Sequence, residues 1–259
     1  MPRIFLPTAD FKENQISITG EKAHYLASVL RCQNGEALTI IDGEGNCLET
    51  FLIKCDRKEV VAKIIKKSPC NFESHLDIIL VQGMLKGDKM DMVIQKTTEL
   101  GVKEIIPVIT ERSQIRETRK IGRWRKIAEE ASRQSGRSMV PYVHEPVEFR
   151  EFLCRVESDR YTDPGAIKSE EVKGFLFWEE EGLSFNGAKE RMSAFSCPPF
   201  AVSPGHLLIG PEGGFTKEEV DLAKGNKFLV LSLGRRTLRA ETAAISAVTL
   251  MQFLFGDMG

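Results

Sequence analysis

The sequence contains no apolar run approaching the roughly 18 residues that a membrane span requires. It opens Met1-Pro2-Arg3-Ile4-Phe5, without the apolar stretch and small-residue cleavage site of a signal peptide. A soluble, cytoplasmic protein with no membrane partner is expected. The six cysteines, at positions 32, 47, 55, 70, 154 and 197, include no Cys-x-x-Cys pair. None of the four histidines stands at ligand spacing from them. Neither a structural zinc site nor any other metal is expected, and a disulfide framework is not expected either, so the thiols read as reduced. Gly-x-Gly-x-x-Gly and Gly-x-x-x-x-Gly-Lys-Ser/Thr are both missing, which excludes the dinucleotide fingerprint and the nucleotide-triphosphate loop. An excess of one charge sign is missing too. Thirty-six basic residues face 37 acidic ones, so the chain as a whole does not advertise a polyanionic partner.

What is present is an ordinary globular composition, 42% hydrophobic and 28% charged, in 259 residues. That is enough chain for one large domain or two modest ones. Residues 1–70 read as β-rich. Ala37–Ile41 leads into the turn Asp42-Gly43-Glu44-Gly45, Cys47–Ile53 alternates, and Glu59–Ile65 is β-branched, which argues a hairpin. One helix interrupts, with Ala23, Leu26, Val29 and Leu30 on a shared face. Ser68-Pro69 reads as a linker. From residue 74 to 259 strands alternate with helices. Strands are expected at Leu76–Val81, Glu104–Ile109, Gly174–Phe177, Leu207–Ile209 and Phe228–Leu233. Helices are expected at Lys89–Leu100, Lys120–Ser135, after the capping box Thr216-Lys217-Glu218-Glu219, and at Glu241–Phe255. This rhythm predicts an α/β domain with a mostly parallel sheet. Residues 155–172 read as a mobile surface connection.

Charge is uneven locally. Between Glu111 and Arg137 nine basic residues face four acidic ones. Such a segment suits backbone contacts to nucleic acid, but equally suits a solvated helix face laced with ion pairs.

Two segments carry the densest chemical signal. Leu208-Ile209-Gly210-Pro211-Glu212-Gly213-Gly214-Phe215 follows a strand and precedes a capped helix. Its glycines let backbone approach a ligand closely. Glu212 within it would repel a phosphate. Leu231-Ser232-Leu233-Gly234-Arg235-Arg236-Thr237-Leu238-Arg239 likewise leaves a strand and enters the helix that carries Glu241, Thr242 and Ala243. Ligands of parallel sheets bind at the carboxyl ends of strands, so two such loops predict one shared pocket.

These two loops resemble the signature loops of the RsmE family, small-subunit rRNA uridine N3-methyltransferases of the SPOUT superfamily. The resemblance extends to His24-Tyr25-Leu26, Val29-Leu30-Arg31, Lys86-Gly87-Asp88-Lys89-Met90-Asp91, Gln95–Val102, Glu111-Arg112-Ser113 and Gln134-Ser135-Gly136-Arg137, so it covers nearly the whole chain. It implies a PUA-like RNA-binding barrel over residues 1–70 and a trefoil-knotted SPOUT α/β domain over 74–259. It also implies a homodimer joined through the knotted domain. S-adenosyl-L-methionine would sit among three loops, represented here by Phe177-Trp178-Glu179, by Gly210 to Gly214, and by Leu231 to Ala243. Phe177, Trp178, Leu208, Ile209, Gly210, Pro211, Gly213 and Gly214 would line the first side. Leu231, Ser232, Leu233, Gly234, Leu238, Arg239, Thr242 and Ala243 would line the second. Backbone groups of Leu233 and Leu238 would hold the adenine. Arg3, Arg31, Lys86, Arg112 and Arg137 would meet the ribosomal RNA.

Uridine N3 holds a proton at neutral pH and attacks a methyl group poorly until that proton leaves. A cation that stabilises the ring anion and a carboxylate that takes the proton would both help. Arg239 is the expected cation and Glu212 the candidate base, with Glu241 bracing Arg239 or capping its helix. Two other readings stay open: a methyltransferase of the same superfamily acting on another rRNA or tRNA position, and a non-catalytic RNA-binding assembly factor.

Overall fold

A computed structural model of the chain describes residues 2–6, 11–12, 14–70, 72–158, 172–184, 187 and 205–259. The connection expected at 155–172 lies mostly outside the described residues. The chain divides into two compact units, residues 1–73 with 132–140, and residues 74–131 with 141–259.

In the first unit six strands form one curled sheet. They are β1 (Arg3–Phe5), β2 (Phe11–Lys12), β3 (Gln15–Thr19), β4 (Ala37–Ile41), β5 (Asn46–Cys55) and β6 (Glu59–Pro69), in the order β1-β4-β5-β6-β3-β2. Alternation along the strands sends Ile16, Ile18, Leu38, Ile40, Leu48, Leu52, Val60 and Ala62 into one buried cluster with Leu26. The Asp-Gly turn closes the β4–β5 hairpin as expected. Ser68 and Pro69 are not a linker, because they pair with Cys47 and Asn46 as the last rungs of β5–β6. The helix also departs from expectation. Only α1 (Gly20–His24) is α-helical, and Tyr25–Val29 forms a π turn, in which the Leu30 N–H donates to the Tyr25 carbonyl five residues back. The wider turn breaks the 3.6-residue period. Ala23 and Leu26 stay buried, but Val29 is 61% exposed and Leu30 also faces solvent.

The thiols are corrected at one pair. Cys47 and Cys70 form a disulfide, with their Cα atoms 5.3 Å apart, within disulfide reach. The pairing of β5 with β6 creates this proximity. Their spacing in sequence, a separation of 23 positions, carries no signal of it.

The second unit is a seven-stranded parallel sheet. Its strands are β7 (Ile78–Gly83), β8 (Glu104–Ile109), β9 (Tyr142–Val143), β10 (Val147–Glu148), β11 (Gly174–Phe177), β12 (Gly205–Ile209) and β13 (Phe228–Leu231). The order is β10-β8-β7-β12-β11-β13, with β9 beside β8. β7 and β11 are buried at every residue, as continuous apolar runs in a parallel sheet must be. The helices are α2 (Lys89–Glu99), α3 (Ile121–Ser135), α4 (Phe149–Ser158), α5 (Lys217–Gly225) and α6 (Ala240–Phe255). One face of the sheet packs Ile79, Val81, Leu176 and Leu208 against Phe149, Phe152 and Leu153 of α4 and Val220 of α5. On α6, Ala244, Ala247, Val248 and Met251 are buried, and the helix meets β7, β12 and α2. The capping box of α5 forms as expected: Thr216 Oγ1 accepts from the Glu219 N–H at 3.2 Å, and Glu219 accepts from the Thr216 N–H at 2.9 Å. No helix among the described residues is long and apolar enough to cross a membrane.

The strand order decides where the chemistry sits. β11 lies between β12 and β13, with Phe177 in register with both Ile209 and Leu231. Three chain segments therefore leave the sheet side by side, at its carboxyl edge.

Candidate active site

The segments leaving β11, β12 and β13 enclose a cavity of about 530 Å³ lined by Phe177, Glu179, Ile209, Gly210, Pro211, Glu212, Gly214, Leu238, Arg239, Glu241 and Ala243, together with Lys89, Thr237 and Ala240. A smaller recess adjoins it, sharing Phe177 and Leu238 and adding Trp178, Ser232, Leu233 and Gly234. The two glycine-bearing loops thus meet in one cleft. Four of the expected residues line neither space: Leu208 and Leu231 are buried in their strands, Gly213 faces Arg112, and Thr242 is exposed on α6. A larger hollow of about 720 Å³ lies among Glu104, His144, Lys173 and His206, at the amino ends of the strands and away from both loops.

The loop after β12 is held rigidly from several sides. Gly83 ends β7 so close to Pro211 that any Cβ there would run into the Pro211 nitrogen. Fully buried Gln82 donates to the Gly210 carbonyl at 3.2 Å. Arg112 Nη1 donates to the Gly213 carbonyl at 3.0 Å. Glu219 spends its other oxygen on the Glu111 N–H at 2.8 Å. Gly214 closes the turn with φ +69°, and its N–H donates to the Pro211 carbonyl at 2.9 Å. A side chain at Gly214 would be strained by that φ and would meet the Glu179 carboxylate.

The sheet edge also concentrates charge. Glu212 Oε1 accepts from Lys89 Nζ at 2.9 Å and from the Lys86 N–H at 3.1 Å. Burial pushes its carboxyl up, but the Lys89 ammonium and the backbone donors outweigh that, and the group is held below the usual carboxylate range. A carboxylate so engaged is a weak proton acceptor. Glu212 therefore ties the loop to α2, a different task from the base expected of it. Lys89, in the stretch Lys86–Asp91, joins the expected site residues as a lining residue of the cavity.

Arg239 occupies the N-cap of α6 with extended backbone, φ −64° and ψ 149°, and its side chain caps nothing. It is exposed at the rim. Glu241 sits two residues on, 8% exposed, and one of its oxygens, Oε2, is buried with no hydrogen-bond partner among the described residues. No bond joins it to Arg239 among those residues, so the expected brace is not made. The buried Trp178 Nε1 is likewise unpartnered. Buried polar atoms without partners are rare in folded proteins, and both of these belong to residues that line the cleft or its recess.

The expected RNA-facing residues divide. Arg3 is exposed, with its guanidinium 5.1 Å from the Phe72 ring centroid. Arg31 is exposed after the π turn, at φ +54°. Lys86 is exposed beside the cleft loop. Arg112 is committed to the backbone of 213–215, with a second, longer bond to the Phe215 carbonyl at 3.4 Å. Arg137 is 4% exposed, and its guanidinium is bound to Glu73 at 2.6 Å, so it does not present its charge to solvent. Basic residues of the segment 111–137 also pair with carboxylates outside it: Arg116 with Glu148, Arg123 with Asp91 and Arg125 with Glu145.

Comparison with known proteins identifies the family. Residues 72–252 match the family model of an RNA methyltransferase domain, and residues 18–65 that of an RNA methyltransferase PUA domain. The ribosomal RNA small subunit methyltransferase E of Buchnera aphidicola subsp. Acyrthosiphon pisum is 30% identical over 99% of this chain and 95% of its own. The Bacillus subtilis protein of that name is 30% identical over 92% and 89%. The crystal structure of the Neisseria gonorrhoeae ribosomal RNA small subunit methyltransferase E bound to S-adenosyl methionine superposes with TM-score 0.80, at 30% identity and full coverage of both chains. A methyltransferase structure from Legionella pneumophila, in complex with the same cofactor, gives TM-score 0.76 at 32% identity, with 98% of both chains covered.

Proposed function

This chain belongs to the ribosomal RNA small subunit methyltransferase E family, and we propose that it uses S-adenosylmethionine to methylate N3 of one uridine in small-subunit ribosomal RNA. The observation that carries the reading is the convergence of the 210–214 and 232–239 loops on one cleft with Arg239 at its rim. The residues present suit the cofactor. The cavity volume falls within the roughly 300–1,000 Å³ usual for small-molecule sites. Gly210 and Leu238 line the cavity and Leu233 the adjoining recess, and Glu241 Oε2 and Trp178 Nε1 have no hydrogen-bond partner among the described residues. When bound, the cofactor supplies a methyl group on a positively charged sulfur.

The chain's own residues do the rest. Main-chain groups of Leu233 and Leu238 hold the adenine. Arg239 faces the incoming base and stabilises negative charge as the N3 proton leaves, which makes N3 nucleophilic. Lys89, neutralised by Glu212, fixes the loop rather than the base. Residues 1–70 act as the PUA-like RNA-binding unit and 74–259 as the knotted methyltransferase unit. Arg3, Arg31 and Lys86 meet phosphates, while Arg112 shapes the cleft loop. The apolar outer face of α6, where Phe253 is 58% exposed, suits a homodimer joined through this unit. The site of action is the cytoplasm, where ribosomal RNA is assembled.

Nucleoside mass spectrometry of rRNA from cells lacking this protein tests the reading. We expect 3-methyluridine to disappear from the small subunit and to return with the intact gene. Loss of another methylated nucleoside would instead identify a different target atom. No loss at all would leave only a binding or assembly role.

A further inference from the structure

Resting on that reading, we propose that Glu241 is the charge partner of the bound methyl donor, and that it makes the cleft prefer the sulfonium form over the demethylated product. Four observations meet here. Glu241 lines the cavity formed by the two loops. It is 8% exposed, whereas Arg239 and Thr237 beside it are exposed. Its Oε2 is buried without a partner among the described residues. The cations near it are otherwise engaged or turned outward: Lys89 is bonded to Glu212 at 2.9 Å, and Arg239 faces solvent.

A buried carboxylate with no cation is costly, and the start of α6 offsets only part of that cost through its dipole. Among the described residues, the cleft is therefore short of one positive charge at Glu241. RNA enters from the solvent side and meets the exposed rim. A floor residue meets the small molecule beneath it. The methyl donor carries a fixed positive charge at sulfur. Transfer breaks the sulfur–methyl bond and forms the N3–methyl bond; the N3 proton passes to solvent water, and the bonding pair stays on sulfur, which becomes a neutral thioether. Glu241 is thus paired before transfer and unpaired after it. The same carboxylate that favours loading of the donor weakens retention of the product and speeds exchange.

Calorimetric titration of S-adenosylmethionine and of S-adenosylhomocysteine into the full chain and into Glu241→Gln tests this. For the variant, donor affinity should fall roughly ten- to a hundredfold, the usual loss for a charge-assisted contact. Product affinity should fall by about threefold or less, because no charge faces the lost carboxylate. Equal loss for both ligands, or loss for neither, would overturn the proposal. A wild-type chain that binds neither ligand would instead sink the methyl-transfer reading itself. If thermal melting shows Glu241→Gln unfolded, Glu241→Asp serves in its place. Retaining the charge, it should keep the donor-over-product preference, and equal affinities for the two ligands would contradict the role.

Discussion

Arg239→Ala is expected to lower kcat by about a hundred- to a thousandfold, the loss seen when one preorganised donor to a developing anion is removed. Affinity for S-adenosylmethionine should stay within about twofold. The separation follows from where Arg239 stands. It occupies the N-cap of α6, yet its side chain makes no cap bond, so α6 does not depend on the guanidinium. It is exposed at the rim of the cleft while Glu241 and Leu238 lie further in. Single-turnover methylation of small-subunit RNA, measured beside cofactor titration, checks both halves. Parallel loss of turnover and of cofactor affinity would mean that Arg239 shapes the cleft instead of meeting the substrate.

Glu73→Ala should produce the largest loss of stability. Glu73 Oε1 accepts from the Ser138 N–H at 2.8 Å, from the Ser138 hydroxyl at 3.1 Å and from the Met139 N–H at 3.0 Å. Its other oxygen accepts from Arg137 Nη2 at 2.6 Å and Nε at 3.1 Å. Removing the carboxylate leaves a buried guanidinium without its counter-charge, which costs about 3–5 kcal/mol. In a unit of this size that lowers Tm by more than about 10 °C. The pH dependence has a definite sign. Burial pushes the Glu73 carboxyl up, but Arg137 and the backbone donors outweigh it and hold the group below the usual carboxylate range. A lowered folded pKa means that the contribution is complete above the unfolded value, near about 4.3, and is lost as pH falls through the folded one. Melting curves from pH 7 down to 3 should therefore converge for the wild type and Glu73→Ala. A constant gap across that range would rule out the ion pair as the source.

The second unit was more legible in sequence than the first, for a physical reason. Glu104–Ile109 is a largely buried and Gly174–Phe177 a fully buried run of contiguous apolar residues, and both strands begin and end as expected. The Thr216 box depends on neighbours three residues apart and is equally local. Helix α4 is legible in the sequence pattern. Phe149, Phe152, Leu153 and Val156 stand at helical spacing, and the first three are buried. The register of β5 against β6, which brings Cys47 to Cys70, depends on long-range pairing that periodicity does not encode. The position of β11 between β12 and β13 is of the same kind.

The candidate site shows the same division. Gly210–Gly214 and Gly234–Arg239 announced themselves by composition, and resemblance to a family supplied their purpose. Which carboxylate is tied and which is unpaired was not legible. Glu212 and Glu241 look alike as letters. Only the fold sets Lys89 against one and leaves Oε2 of the other buried without a partner among the described residues. Arg137 was misplaced among RNA contacts for that reason too, since its partner Glu73 lies 64 residues away in the chain.

Calorimetric titration of S-adenosylmethionine into the wild-type chain and into Gly214→Val bears most directly on the shared cleft. One molecule should bind per wild-type chain. Binding should vanish in the variant, whose new side chain would sit at φ +69° against the Glu179 carboxylate. A wild-type chain that takes up no cofactor, or a variant that binds it as well as the wild type, would show that these loops do not form its seat.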